Sequence, residues 1–419
     1  MSRSKPGRLR PVDWPEPGAF AGPPDPETLR RWDDADRTAR RVRLERLRRR
    51  LADERLDAYF GVRREHMRYL TGFTLAEGED KVAGHSGQFL VGADEVVVLA
   101  DTRYTIQARR EATGARIEPT TYDLAARWPD LVASLGARRV AVEAGFVSHA
   151  LWGRLAAAAP SVELVPIEGW VEADRATKEP AELERIAAAC AVADRALAAL
   201  LPEIRPGLTE QELAWRLEGL MRTSGAEALA FAVACLAGPE AALPHGSPGE
   251  RPVRRGQVLL FDFGAQVGGY RSDMTRTLFV GEPAARDLAV YEVAAEAQAA
   301  AMRAVEGAVA EAKRTGGPLP GGRGFDAIAR EVIERDGRWP AYGHGLGHGI
   351  GLATHEGPTL SRTASETPLP SPTVFSVEPG IYLQDEMGVR IEDLLAIDVS
   401  AGRVDLLTQF PRGVVVVGE

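Results

Sequence analysis

Cysteine is scarce in this sequence of 419 residues, in which only Cys190 and Cys235 occur. One possible pair cannot build a disulfide framework, so the sequence favours a reducing compartment, and we expect a cytoplasmic protein. Runs of about 18 apolar residues are also lacking, so no membrane-spanning helix is expected. The basic N-terminal stretch is not followed by an apolar segment, and no signal peptide is predicted.

A surplus of positive charge is lacking too, because the formal net charge is −9 at pH 7. Phosphate backbones are bound by a dominant basic field, so no nucleic-acid partner is expected. Apolar residues make up 45% and charged residues 26% of the chain, which is typical of a globular protein. The length predicts two or three domains.

The first half of the chain predicts an extension followed by an α/β domain. Residues 1–40 are rich in Pro, Gly, Arg and Asp and are predicted to be an irregular N-terminal extension, with a helix beginning near Thr38. Over residues 41–172, strand patterns such as AYFGV and EVVVLA alternate with helical patterns such as TRYTIQARREATG. This alternation is typical of an α/β domain.

From residue 173 to residue 419 the pattern changes to long helices mixed with hairpins, which predicts an α+β domain. Its first helix is expected to begin at Pro180, because proline is tolerated in the first turn. A second helix is expected after Thr209, since Glu212 completes a capping box there.

The segment LLFDFGAQVGGYRSDMTRTLFV, residues 259–280, is typical of a hairpin with its turn at Gly268 and Gly269. The midpoint of Asp262 and Asp273 falls in or beside that turn, so their carboxylates are predicted to face each other across the strands. Facing residues lie about 5 Å apart at Cβ. Two like charges so close among apolar neighbours need a cation or a proton between them.

A second hairpin repeats this arrangement in VFSVEPGIYL and VRIEDLLAI, which QDEMG joins. The midpoint of Glu378 and Glu392 lies inside the joining segment, which predicts a second facing pair of acids. The alternative is that all these acids lie on solvent faces of edge strands. The apolar neighbours and the matched registers of both pairs argue against it.

Histidines cluster between the two hairpins. The chain has seven histidines, and His344, His348 and His355 lie within AYGHGLGHGIGLATHEGP, among six glycines. A lone histidine is more often a satisfied polar residue than a ligand. A cluster beside two acid-bearing hairpins instead indicates a site, although the spacing does not decide which histidine binds a metal.

Four carboxylates with an imidazole form an oxygen-rich set of ligands, which disfavours a structural zinc site of the thiolate type. The set suits a pair of Mn, Co, Fe or Zn ions about 3.5–4 Å apart. Because such a pair activates water and polarises a carbonyl, hydrolysis is the expected chemistry.

Taken in order, the segments FDFGAQVGGYRSDMTRT, GHGLGHGIGLATHEGP, SVEPGIY and VRIED resemble the pita-bread metallopeptidase family, which includes aminopeptidase P, prolidase and methionine aminopeptidase. The resemblance implies a pita-bread (creatinase/aminopeptidase-like) catalytic domain over most of residues 173–400. YLTGF and ADTRYTIQA look like the creatinase-like N-terminal domain of the Xaa-Pro branch, which methionine aminopeptidases lack. The implied activity is hydrolysis of Xaa-Pro bonds in proline-containing peptides by a homodimer, with Mn as the first choice of metal.

The resemblance implies five metal ligands, which are Asp262, Asp273, His348, Glu378 and Glu392. Asp262 would chelate one ion and His348 the other, while Asp273 and Glu392 would bridge the two. Glu378 would bind the second ion and also move the proton.

Four further residues match substrate-side positions of the family, namely His245, His344, His355 and Arg390. Taken alone, His245 would be a polar loop residue and Arg390 a charge on a strand face, and only the match assigns them to the site. His355 matches the histidine that stabilises the tetrahedral intermediate, so Glu378, His355 and His245 form the expected catalytic set. The residues TRT at 275–277 are expected to support the ligands.

One departure from the family bears on the length of the substrate. Several dipeptidases of this family carry an arginine shortly after HExP, which holds the free carboxylate of the dipeptide. Here Thr359 follows Pro358 and the nearest arginine is Arg362. We therefore expect an aminopeptidase of longer peptides, with Xaa-Pro dipeptidase as the alternative. More remote alternatives are a metal-free hydrolase resembling creatinase, a lyase and a binding module on the same scaffold.

Overall fold

The computed structural model describes residues 23–76, 84–120, 123–340 and 342–418. One compact unit spans Glu27–Asp174, and the other spans Arg175–Glu419 together with the described residues 23–26. Along the described residues, no helix combines the length and the apolar character needed to cross a membrane.

The first unit is an α/β domain built on one six-stranded sheet. Its helices are α1 (Pro26–Asp53), α2 (Arg64–Thr71), α3 (Thr105–Glu111), α4 (Leu124–Ser134), α5 (His149–Ala158) and α6 (Trp170–Ala176). Its strands are β1 (Ala58–Gly61), β2 (Phe89–Val91), β3 (Val96–Ala100), β4 (Arg116–Pro119), β5 (Arg139–Glu143) and β6 (Glu163–Ile167). The strand order is β4-β3-β2-β1-β5-β6, with β1, β5 and β6 parallel. The predicted α/β fold of this region is confirmed.

The N-terminal helix is longer than predicted. The prediction of irregular structure over 1–40 is wrong for residues 26–40, because α1 begins at Pro26 rather than near Thr38; residues 1–22 lie outside the described part of the chain. Proline is accommodated at a first helical position. Trp32, only 3% exposed, anchors this early part of the helix by its burial.

The described residues of the second unit form several sheets, in which antiparallel pairing predominates, together with α-helices. The helices are α7 (Pro180–Leu200), α8 (Glu210–Thr223), α9 (Ala285–Thr315) and α10 (Gly322–Asp336). The strands are β7 (Ala228–Leu229), β8 (Ala234–Ala237), β9 (Val258–Phe263), β10 (Ala265–Val267), β11 (Tyr270–Arg271), β12 (Met274–Val280), β13 (Gly347–Gly349), β14 (Glu356–Leu360), β15 (Thr373–Val377), β16 (Gly380–Leu383), β17 (Met387–Arg390), β18 (Asp393–Asp398), β19 (Arg403–Leu406) and β20 (Val416–Val417). The two larger sheets have the orders β20-β12-β9-β8 and β14-β13-β15-β18-β19.

The sequence signals at the start of this unit are confirmed. Helix α7 begins at Pro180, and the capping box of α8 forms, because Thr209 Oγ1 accepts from the N–H of Glu212 while Glu212 accepts from the N–H of Thr209. One hydrophobic core joins α9 and α10 to the sheets, with Phe375 among its fully buried members. The strands that carry the predicted site residues therefore pack against a hydrophobic core.

Candidate metal centre

The first acid-bearing ribbon is formed by β9 to β12, and its register differs from the predicted one. The turn lies at Gly268 and Gly269, whose φ angles are +55° and +78°, as a tight hairpin turn requires. Asp262 is opposite Thr275, and Asp273 lies two residues further, just before β12. The prediction that the two acids are directly opposed is therefore wrong. They are diagonal neighbours, and an offset of two residues keeps both on one face.

The second ribbon has the predicted register. Val377 is opposite Asp393, and Gly380 is opposite Arg390. Glu378 and Glu392 lie between these two ladders and are therefore the facing pair that the sequence predicts.

His348 lies in β13, where the backbone passes close to β15. A Cβ at Gly347 would lie 1.9 Å from the carbonyl oxygen of Ser376, so only glycine fits there. Nδ1 of His348 is 3.0 Å from the carbonyl oxygen of Gly349, which only accepts, so Nδ1 carries the proton. Nε2 then presents its lone pair 3.4 Å from Glu378 Oε1 and 3.7 Å from Asp273 Oδ2.

All five predicted metal ligands line one cavity of about 500 Å³, and they are Asp262, Asp273, His348, Glu378 and Glu392. Ligand atoms of Asp273, His348 and Glu392 lie within 4.8 Å of one another. Three carboxylate oxygens, one each from Asp262, Asp273 and Glu392, are buried without a hydrogen-bond partner among the described residues. Buried anionic oxygens without donors are costly unless a cation neutralises them.

The raised pKa values of the clustered carboxyl groups also favour a bound cation. Burial, followed by the neighbouring acids, raises the pKa of Asp273 and of Glu392 well above the ordinary carboxyl values. Burial also raises the pKa of Glu378. Bound divalent ions would reverse this, because they favour the ionised carboxylates. The donor set is hard, oxygen-rich and completed by one imidazole, so it fits divalent metal ions.

The four predicted substrate-side residues line the same cavity, namely His245, His344, His355 and Arg390. The rings of His348 and His355 are 4.2 Å apart between centroids. Burial and the nearby His348 and His245 lower the pKa of His355 to about 4, so its ring is neutral at pH 7.

A directed chain of hydrogen bonds joins two residues that line the cavity, Arg390 and His344. Arg390 Nη1 donates to Tyr382 Oη at 2.9 Å, and Tyr382 Oη is 2.9 Å from His344 Nε2. Nδ1 of His344 is 2.7 Å from the carbonyl oxygen of Gly345, which can only accept. The neutral ring therefore donates from Nδ1 and accepts the Tyr382 hydroxyl proton at Nε2, and burial lowers the pKa of His344 in agreement.

Two hydroxyls support the ligands directly. Thr275 Oγ1 donates to Glu392 at 2.7 Å, in line with the expected supporting role of TRT. Ser376 Oγ donates to Glu378 at 3.0 Å and was not singled out from the sequence. Its position two residues before the ligand, on the same strand face, is the signal that could have found it.

A buried group of charges supports the segment that carries His355. The carboxylate of Glu356 is 3% exposed and pairs with Arg175 and, at 2.8 Å, with Lys178. Although burial opposes ionisation, these two cations lower the pKa of Glu356. The pairing connects the chain before α7 to the backbone beside the cavity, and sequence reasoning did not predict it.

A pair of ribbons whose acids and one imidazole surround a cavity defines a metal-dependent hydrolase. The chain belongs to the metallopeptidase family M24, whose model matches residues 184–398. The Creatinase/Prolidase N-terminal domain model matches residues 43–177. The predicted pita-bread family and its creatinase-like N-terminal domain are thereby confirmed, and members of this family depend on a pair of metal ions.

Three similar proteins illustrate the relationship. The chain is 39% identical to an Xaa-Pro dipeptidase of Pyrococcus furiosus, over 56% of this chain and 64% of that protein. A solved Xaa-Pro dipeptidase from Bacillus anthracis is 30% identical, with a TM-score of 0.79 over 90% of this chain and 100% of that chain. A solved X-Pro aminopeptidase from Thermotoga maritima is 33% identical, with a TM-score of 0.78 over 89% and 99%.

Proposed function

We propose that this protein hydrolyses the peptide bond between an N-terminal residue and proline with two divalent metal ions. The observation that carries the proposal is the cavity in which five potential ligands meet, while three of their buried oxygens lack a hydrogen-bond donor among the described residues. An Xaa-Pro bond has no N–H, and its ring fixes φ. A site that acts on the carbonyl needs neither that N–H nor a flexible chain.

Several residues at or beside the cavity have a proposed role in the reaction. Metal ions held there would supply an acidified water and polarise the scissile carbonyl. Glu378, supported by Ser376, would take the water proton and pass it to the proline nitrogen. His355 and His245 would donate to the substrate, and the neutral ring of His355 can do so from a ring N–H.

We propose Xaa-Pro dipeptides as the substrates, which corrects our first expectation of longer peptides. The similar proteins whose names give a substrate include the Xaa-Pro dipeptidases of Pyrococcus furiosus and Bacillus anthracis. Support for the dipeptidase assignment is thus stronger than for the aminopeptidase assignment.

One observation keeps the aminopeptidase as the second candidate. Thr359, opposite His348 in the β13–β14 ladder, lines the cavity directly after the HEGP segment, and several dipeptidases of the family carry an arginine shortly after that segment. Arg390 is the single arginine among the described residues that line the cavity, and all three of its side-chain nitrogens donate to protein atoms. Arg362 is exposed and does not line the cavity.

Turnover of Xaa-Pro dipeptides and Xaa-Pro-Pro tripeptides separates the two candidates. The protein is stripped with a chelator and assayed after addition of Mn, Co or Zn. We expect dipeptide cleavage that disappears with the chelator and returns with metal. Cleavage of tripeptides alone would establish the aminopeptidase instead, and no cleavage of either with any metal would refute the proposal.

Thr359→Arg is the matched variant, because it places an arginine directly after the HEGP segment, where its side chain can enter the cavity. If carboxylate binding limits dipeptide turnover, Thr359→Arg lowers KM for dipeptides and not for tripeptides.

We further propose Mn as the native metal and a homodimer as the assembly. A cytoplasmic location is supported by two cysteines that are both free and buried.

A further inference from the structure

A buried glutamine of α9 contacts the two chain segments that carry ligands from the second ribbon. Gln298 is 1% exposed, and its Nε2 lies 3.1 Å from the carbonyl oxygen of Val377 and 3.0 Å from that of Ile391. A carboxylate oxygen of Asp393 lies 2.9 Å from the same nitrogen. All three partners only accept, so this end of the amide is the NH₂ group. Val377 and Ile391 each immediately precede a proposed metal ligand.

The two segments have no shared ladder at the ligands themselves. The β15–β18 ladder ends one residue before this point, and the β16–β17 ladder begins beyond it. The N–H of Glu378 donates to the carbonyl of Leu346 at 2.8 Å, and that of Glu392 donates to the carbonyl of Thr275 at 3.1 Å. Each N–H is directed to a different neighbour, and the amide of Gln298 bridges the gap between the segments.

The third partner of this amide is itself held firmly. The other carboxylate oxygen of Asp393 accepts from Arg276 Nη2 and from Thr408 Oγ1, both at 2.5 Å. Arg276 Nη1 also donates to the carbonyl oxygen of Glu392 at 2.6 Å. Asp393 is fully buried and Arg276 is 1% exposed, so water does not compete for these bonds.

We propose that Gln298 is a positioning residue that sets the separation of Glu378 and Glu392, and thereby the geometry of the metal pair. Its amide acts through the backbone, because Gln298 does not line the cavity. This inference rests on the proposed metal centre and is independent of which peptide is cleaved. Partners outside the ligand shell typically contribute about 10–100-fold to metal affinity.

The test is calorimetric titration of the chelator-stripped, full-length protein with Mn²⁺ alone. Gln298→Met keeps the side-chain length and removes the donor, and we expect Mn²⁺ to bind about 10–100-fold more weakly than to the wild-type protein. Gln298→Asn keeps the amide but shortens its reach by one methylene, and we expect weaker binding from it too. The Asn variant carries the test if the Met variant does not fold.

Val305→Ala is the matched control, since Val305 is a 1% exposed core residue of the same helix whose apolar side chain has no hydrogen-bond donor. Equal Mn²⁺ affinity in wild type and both Gln298 variants overturns the proposal. So does an equal loss in Val305→Ala, because the effect would then follow from helix packing. Since no peptide is present, tight Mn²⁺ binding by a wild type that cleaves no Xaa-Pro peptide would refute the proposed function alone.

Discussion

At the scale of single residues, the most specific prediction concerns Asp273 and its effect on metal binding. It is 4% exposed, lies near Nε2 of His348 and keeps one oxygen without a hydrogen-bond donor among the described residues. Asp273→Ala should reduce metal content and lower activity more than about 100-fold, because it removes a ligand rather than a supporting partner. Elemental analysis and peptide turnover measure both, with the exposed Glu306→Ala as the control. Full metal content in Asp273→Ala would contradict the bridging role.

His355 is expected to behave differently from Asp273. It lies beside His348 but its proposed role is to donate to the substrate, so His355→Ala should lower turnover by about 10²–10³-fold. Bound metal should stay at the wild-type level in the same preparation. If His355→Ala emptied the metal site, the division between ligand and substrate histidines would be wrong.

At the residue scale, proximity along the chain decided what could be predicted. The four acids and the one histidine of the proposed ligand set stand in short motifs, and all five line one cavity. Tyr382 contacts His344 across 38 residues and Gln298 contacts Val377 across 79, and no local motif reveals either contact. In retrospect, Gln298 could have been noticed as a polar residue within the alanine-rich stretch AAEAQAAAM.

At the scale of elements, the carboxylate of Asp194 joins α7 to the chain segment after β19, and the strength of this contact should depend on pH. Its carboxylate accepts from the N–H groups of Gln409 and Phe410, and burial raises the pKa of Asp194 to about 6. A folded-state pKa above the unfolded value of about 3.9 means that the folded protein binds the proton more tightly. Stability should therefore fall by about 3 kcal/mol as the pH rises from about 4 to 6.

Urea unfolding at pH 4 and at pH 6.5 measures this dependence, with Asp194→Asn as the comparison. The asparagine mimics the neutral acid, so its stability relative to wild type should improve as the pH rises. A constant difference between the two proteins at both pH values would contradict the raised pKa.

The elements also show why some sequence predictions succeeded and others did not. The register of the second ribbon was predictable, since its acids face each other about the joining turn. In the first ribbon the turn at Gly268 and Gly269 sets a register two residues away from direct opposition of the acids. The start of α1 was predicted too late, because the proline-rich sequence before it indicates irregular structure although the helix begins at Pro26.

At the scale of the whole molecule, metal should stabilise the two units unequally. All five proposed ligands belong to the unit Arg175–Glu419, and each unit has a hydrophobic core of its own. A ligand at 100 times its Kd stabilises the state that binds it by about 2.7 kcal/mol. Scanning calorimetry should therefore show one transition that rises in temperature with added Mn²⁺ and another that does not.

The substitution Glu143→Ala should instead lower the transition temperature of the first unit. This buried carboxylate of the first unit accepts from Tyr59, from His66 and from the N–H groups of Val62 and Arg63. Its loss should destabilise that unit by about 3–5 kcal/mol, because buried donors are left unpaired. The transition that Mn²⁺ leaves unchanged should be the one that moves. A shift of the Mn²⁺-sensitive transition instead would show that the units unfold together.

The proposed ligands are spread along the sequence from Asp262 to Glu392, and this spacing has a consequence during protein synthesis. The ribosome makes the last ligand near the end of the segment 184–398 that the family model matches. Until then, a growing chain holds at most four of the five groups. Activation must therefore come late, after translation has passed residue 392, so an unfinished chain cannot cleave the peptides around it.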